Sequence, residues 1–464
     1  MDRNTKKAAQ KIDFATTRSE RFTYGLYFVG QLIFYCIITG YLQLYLTDSG
    51  IPATVVGAIF AVAKVWDAVN DPLFGIFVDK VNFKKGKYIP WVRISTFLIP
   101  AATVLIFAMP SSASLQVKTI WASVGYLLWD ISYTFCDVPI FALATAMTDN
   151  IKERDWLFMT KGFVTMVGGL FTLIAVPLLY PEIGWTATAV ILSVIGIITM
   201  IPVGYRAKER YVTKPEKEPS IKDLLSYLVK NKYLLIFSGA MIVGALTNTT
   251  AAVNNYVAIY CFGDARFMAT MTLVATAPIL VSIIVVQQLI KTIDKLAIYL
   301  VSTVISLVFS VVMYFVGYKD VTLYLVLCFF KFLFTSGASV LAPMFTADCA
   351  EYGYFVTGDR AQGVAFSIQT FTAKMIAALS TSIGMFVLGM VGFVEGEGAV
   401  QTQSTIDWIW SLSAIFPVIS GVAAFFIILF AYKLKTSDVE LMVKAREGEI
   451  TRDEAIAGFS RKYV

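Results

Sequence analysis

Four aspartates and three lysines stand inside stretches otherwise made of apolar residues: Asp67, Asp71, Asp130 and Asp137, with Lys64, Lys331 and Lys374. An ionised group at the centre of a bilayer costs about 2.5 to 3.5 kcal/mol on insertion scales, so each needs a partner or a task. In AKVWDAVNDPLFG, Lys64, Asp67 and Asp71 follow at intervals of three and four residues and share one helical face, a turn apart. In WDISYTFCDVP, Asp130 and Asp137 are seven residues apart, again on one face, with Thr134 one turn before Asp137. Carboxylates this close cannot all stay ionised away from water unless a cation or a proton comes between them. Hard monovalent cations take oxygen ligands, so Asp67, Asn70, Asp71, Thr134 and Asp137 form the pool from which a Na⁺ site would be drawn. A later run, FSIQTFTAKM, adds Gln369 and Lys374. Four acids against three lysines leave one negative charge that a single bound cation would balance. The plainer reading is structural: Lys64 pairs with Asp67, or the long side chains snorkel toward headgroups.

The elements that must carry these groups follow from composition. Of 464 residues, 57% are hydrophobic and 15% charged, more apolar surface than one soluble core buries, and it is spread from Phe22 to Tyr432. Twelve runs are long enough to cross a bilayer as helices: 23–46, 55–78, 89–109, 119–146, 158–180, 187–205, 234–261, 268–290, 296–317, 321–346, 363–392 and 407–432. They lack the alternation of barrel strands. The polar stretch between the sixth and seventh runs divides the chain into a tail (1–22), a six-helix bundle (23–205), a linker (206–233), a second bundle (234–432) and a tail (433–464). SIKDLLSYLVKNKY in the linker has the period of a short surface helix and is assigned no chemistry. Placing both termini in the cytoplasm gathers most of the 38 Lys and Arg there, which accounts for the net charge of +6 without a nucleic-acid partner. The first apolar run is too long for a signal-peptide core. Histidine is absent, which removes Ser-His-Asp catalysis, His-ligated zinc and imidazole relays, and no enzyme motif takes their place. The five cysteines are scattered through apolar runs and read as packing residues.

Further motifs lie at matching positions. Trp66-Asp67-Ala68-Val69-Asn70-Asp71-Pro72, then Gly75, Asp79 and Lys80, then Gly86-Lys87-Tyr88-Ile89-Pro90-Trp91, resemble the glycoside-pentoside-hexuronide:cation symporter family of the major facilitator superfamily. The similarity runs on through Tyr133-Thr134, Asp137-Val138-Pro139, Ala347-Asp348, Glu351-Tyr352-Gly353 and Ser367-Ile368-Gln369-Thr370 with Lys374. It implies a twelve-helix permease of two six-helix halves that couples Na⁺ or H⁺ entry to uptake of a sugar or glycoside by alternating access, working as a monomer with no cofactor in a bacterial inner membrane. By matching motif, Asp67, Asp71 and Thr134 fall at cation-site positions, with Asn70 beside them, and Asp137, Gln369 and Lys374 at solute-site positions. The resemblance further implies an inner gate of cytoplasmic charge contacts drawn from Asp79, Lys80, Lys84, Lys85 and Lys87 with Asp348, Glu351 and Arg360, and Lys64 is grouped with these gate and coupling residues.

The solute side departs from the family pattern. Gln31 and Leu32 stand where the first span carries a Lys-Asp pair, Phe141 replaces a Trp, and the arginine of the fifth span falls at Gly162, next to Lys161. Asp130, on the face of Asp137, is a replacement acceptor for a sugar hydroxyl. A Na⁺-coupled sugar symporter is therefore the expected activity. Proton-only coupling and a non-sugar or amphiphilic cargo are the alternatives.

Overall fold

The computed structural model describes residues 14–81, 83, 86–211, 221–246, 248–358 and 362–461, and every count or absence below refers to these. In hydrocarbon each backbone N–H and C=O must be satisfied within its own segment, which leaves helices as the solution for long apolar runs. The described residues form helices joined by turns and loops, with one isolated bridge between Phe83 and Gly86. Eleven helices are long and apolar enough to cross a membrane. The second expected span is the 28-residue helix α2, Ala53–Lys80. Twelve spans were expected; eleven are found among the described residues, and α2 is represented there by the shorter apolar helix Ala53–Lys64.

The chain divides into two units: residues up to Ser49 with Val65–Glu216, and Gly50–Lys64 with Lys217 onward. The first holds α1 (Arg18–Asp48), the C-terminal part of α2, α3 (Ile89–Phe107), α4 (Leu115–Met147), α5 (Ile151–Ile183) and α6 (Trp185–Arg206). Local sequence sets the ends. Thr17 and Glu20 make a reciprocal capping box on α1, Asn150 caps α5, and Gly184 at φ +80° separates α5 from α6. Helix α1 packs between α5 and α6 because small residues let backbones approach: a Cβ on Gly196 would lie 2.4 Å from the Phe34 ring, and one on Gly168 2.8 Å from the Val29 carbonyl oxygen.

The linker is less passive than its composition suggests. Its first residues fold back on the first unit, where the Glu209 carboxylate accepts the backbone N–H groups of Lys87, Tyr88 and Ile89 at 2.7, 2.8 and 2.7 Å and so caps α3. Arg210 reaches Glu20 at 2.9 Å. The expected surface helix is α7, Ile221–Lys230.

In the second unit α7 leads to α8 (Lys232–Ala245), α9 (Thr250–Tyr256) with a π-helical end (Val257–Cys261), α10 (Phe267–Leu289), α11 (Lys295–Val316), α12 (Val321–Thr357) and α13 (Gln362–Met390). Helices α14 (Gln403–Ala414), α15 (Phe416–Ala431), α16 (Thr436–Glu447) and α17 (Arg452–Gly458) follow. Two expected spans are broken, 234–261 after Ala245 and 407–432 at Ile415. Pro417 has no N–H for the Ser413 carbonyl, and that carbonyl accepts instead from Thr250 Oγ1 at 3.2 Å and Lys331 Nζ at 3.4 Å, while Thr249 Oγ1 serves Leu412 at 2.6 Å. The first part of α2 belongs to this unit because Gly57 and Gly389 let it close on α13; a Cβ on Gly389 would lie 2.6 Å from Thr54. Helices α16 and α17 cap one end of α12 through an Arg446–Glu351 ion pair and a Phe355–Phe459 ring contact.

Candidate functional site

The polar cluster of the first unit is built on α1, α2, α4 and α5. Asn70 on α2 donates from Nδ2 to Thr134 Oγ1 on α4 at 2.7 Å, and Thr134 in turn donates to the Asp130 carbonyl at 3.1 Å. Both side chains are buried, at 8% and 4% exposure, so the bond forms in a place where leaving either group unmade would be costly. Asp67 is half-buried, and both it and Asp130 act electrostatically on the Tyr126 hydroxyl. The side chains of Asp71, Asp79 and Lys80, and the whole of Lys84, Lys85 and Arg360, lie outside the described residues. Among the described residues no three His, Cys, Asp or Glu side chains gather as a metal cluster. A site here would rest on one or two carboxylates with neutral oxygens, a donor set suited to a monovalent ion.

Two turns along α4, Asp137 accepts from Gln31 Nε2 of α1 at 2.7 Å. Gln31 is 2% exposed, and it occupies the position where the family pattern has a charge. Lys161 of α5 enters the same surroundings. Its ammonium sits 3.8 Å from the centroid of Phe141 and 5.1 Å from that of Phe28, within the field of Asp137. An aromatic shelf runs beside them, with Trp129 stacked on Tyr133 at 5.1 Å and Tyr35 packed on Tyr133 at 5.6 Å. The spacing of charges within α2 and α4 did not single out Lys161, although it lies inside the run 158–180 and is a fourth lysine within the apolar runs. Counting every Lys within a run, and not only those facing a carboxylate at helical spacing, would have found it.

The remaining candidates lie in the second unit. Gln369 on α13 is half-buried, its Oε1 has no hydrogen-bond partner among the described residues, and Lys374 one and a half turns on is exposed. Lys331 is 7% exposed and its ammonium is held by the Ser413 carbonyl. The charge sum read from the sequence therefore changes on both sides, since Lys161 adds a cation beside Asp137 and Lys331 serves a broken helix of its own unit. Asp348 pairs with Lys295 at 2.5 Å and Glu351 with Arg446, so both expected gate acids have partners inside their own unit. Lys64 is half-buried on α2, at the point where the chain passes from one unit to the other.

Comparison with known proteins gives a consistent outcome. The family described as MFS/sugar transport protein matches residues 23–436. The uncharacterized symporter YjmB of Bacillus subtilis strain 168 is 28% identical over 427 residues, covering 89% of this chain and 92% of its own. A putative sulfoquinovose importer of Escherichia coli K12 is 28% identical over 437 residues, covering 92% of each. Among solved structures, the nucleoside transporter NupG superposes with a TM-score of 0.66 at 15% identity over 90% of this chain and all of its own, a likeness of fold.

Proposed function

The chain belongs to the MFS/sugar transport protein family and is a multi-pass membrane transporter, not an enzyme, and from that premise we propose that it couples the inward movement of a monovalent cation, Na⁺ before H⁺, to uptake of a sugar or glycoside. The observation that carries this reading is the placement, along one face of α4, of the buried Asn70–Thr134 hydrogen bond and of the Gln31–Asp137 pair, with Asp67 and Asp130 both acting on Tyr126 nearby. The first group supplies oxygens and negative charge to a cation, with Asp71 expected to join it. The second leaves acceptor capacity on Asp137 for sugar hydroxyls, while Lys161 offers donors and Phe141 and the Trp129–Tyr133 shelf offer ring faces. Because both groups are anchored on α4, an ion that settles Asn70 and Thr134 also settles the position of Asp137, which is a physical route to coupling. The names of relatives, among them an isoprimeverose transporter and a glucuronide carrier homologue, support a carbohydrate cargo. Ligand binding then biases the equilibrium between access states by its differential affinity for them. The Lys and Arg distribution supports an inner-membrane orientation with both termini cytoplasmic.

The test is uptake and counterflow of a panel of labelled sugars and glycosides into proteoliposomes, with and without Na⁺ at fixed pH. Na⁺-stimulated counterflow is expected. Equal transport with and without Na⁺ but dependent on a pH gradient would assign the coupling to protons, and failure of every sugar beside uptake of an amphiphile would reassign the cargo.

A further inference from the structure

A groove lies between the N-terminal ends of α1 and α5, on the side away from the polar cluster. Its volume is 540 Å³, and its walls are mainly apolar, from Phe22 and Gly25 of α1 to Trp156 and Thr160 of α5. Phe22 and Gln31 are nine residues apart on one helix, so at about 100° per residue they point in opposite directions. Phe22 is 69% exposed, a face that only lipid would cover in a membrane.

The rim of the groove is cationic. Arg18 lines it and is exposed, and Arg21 lies flat on the Phe14 ring at 3.8 Å. Arg21 is fixed there by the Thr16 carbonyl at 2.5 Å and by Glu153 at 3.9 Å, and Trp156 meets Phe14 edge-on at 5.6 Å. The sequence leading into the groove adds to this charge: Arg3, Lys6, Lys7, Lys11, Arg18 and Arg21 stand against Asp2, Asp13 and Glu20, and Glu20 is already paired with Arg210. An apolar slot that opens under arginines, flanked by Trp and Phe at the end of a span, has the chemistry of a lipid with an anionic headgroup. Basic residues next to a span attract anionic lipid by about 1 kcal/mol each.

We propose that this groove binds an anionic phospholipid, its phosphodiester at Arg18 and Arg21 and an acyl chain along Gly25, Trp156 and Thr160. The test is fluorescence quenching of the full chain in neutral detergent by phosphatidylglycerol or phosphatidylcholine with brominated acyl chains, taking the difference from Trp156→Phe as the signal of Trp156. Phosphatidylglycerol is expected to quench that signal at a several-fold lower mole fraction than phosphatidylcholine. Arg18→Gln is expected to raise the half-quenching fraction of phosphatidylglycerol about fivefold, the equivalent of one such contact. Gly25→Ala narrows the slot and is expected to weaken quenching by both lipids, and since the added Cβ meets Thr160 and Val164 only at 3.7 and 3.8 Å, the variant has room to fold. Equal quenching by the two lipids, or no effect of Arg18→Gln, overturns the proposal. So does loss of the preference on adding equimolar inorganic phosphate, which would mark a free-anion site, or a gain of quenching by phosphatidylcholine to the phosphatidylglycerol level on deleting residues 1–13, which would mean the chain's own N-terminus fills the groove.

Discussion

At the scale of single residues, the decisive feature of the first unit is a pair of side-chain hydrogen bonds made across helices, Asn70 to Thr134 and Gln31 to Asp137. Asp137 and Gln31 form a partly buried, charge-assisted hydrogen bond. Asp137→Asn removes the charge and turns an acceptor into a partial donor facing the Gln31 amide. Solute affinity is expected to fall about ten- to hundredfold, the worth of a hydrogen bond to a charged group, as read by equilibrium binding to the purified protein. Wild-type affinity would move the solute elsewhere. Lys331 poses the opposite case. A buried ammonium held by one carbonyl at 3.4 Å pays a desolvation penalty that this long contact does not offset, and Thr250 still serves the same carbonyl. Lys331→Met, close in volume, is expected to keep or raise the thermal midpoint, and a loss of several degrees would show that the charge has a stronger partner. Asp67, Asn70, Thr134 and Asp137 were legible as candidates because helical spacing alone aligns them. Lys161 was not singled out, since its significance comes from Phe141 and Phe28 on other helices.

At the scale of elements, end caps and small residues decide how helices meet. Glu209 satisfies three backbone donors at the start of α3, the helix that packs against α4. Glu209→Ala leaves those donors to whatever water can reach them and is expected to cost on the order of 1–3 kcal/mol, seen as a lower unfolding midpoint in detergent. Glu209→Gln keeps one acceptor oxygen and is expected to lose less; equal midpoints for both variants would show that the cap contributes nothing. Most helices could be placed from apolar run length with Pro and Gly punctuation. The breaks at 246–249 and at Ile415 could not, although Pro417 stood in the sequence, because a proline inside an apolar run marks a missing N–H without revealing whether other side chains will serve the freed carbonyl. Helix α12 also runs to Thr357, beyond its expected end at 346, and so carries Asp348 and Glu351 on a helix instead of a loop.

At the scale of the whole molecule, the second unit carries a cap of its own. Helices α16 and α17 hold Glu351 through Arg446 and cover Phe355 with Phe459, and Asp438, 1% exposed, fixes Ser460 through its N–H at 2.9 Å and its hydroxyl at 2.6 Å. Removal of residues 436–464 strips the cover from Phe355 and leaves Glu351 without its arginine. It is expected to lower the unfolding midpoint by several degrees, with Arg446→Gln in between, and an unchanged midpoint for the truncated chain would reduce the cap to an appendage.

Composition and run length by themselves determined that this is a helical membrane protein, because a bilayer admits few other ways to bury so many apolar residues with their backbone satisfied. The 3.6-residue period likewise determined which carboxylates share a helical face, and motif resemblance pointed to a cation-coupled sugar carrier. Only the tertiary structure decided which groups meet: Asn70 with Thr134, Gln31 with Asp137, Lys161 on Phe141, Lys331 at a broken helix, and Glu209 at the head of α3. The reason is geometric. A helix fixes neighbours three and four residues apart, whereas each of these contacts joins segments tens of residues distant, and their register depends on how small residues such as Gly196 and Gly168 let one helix settle against the next.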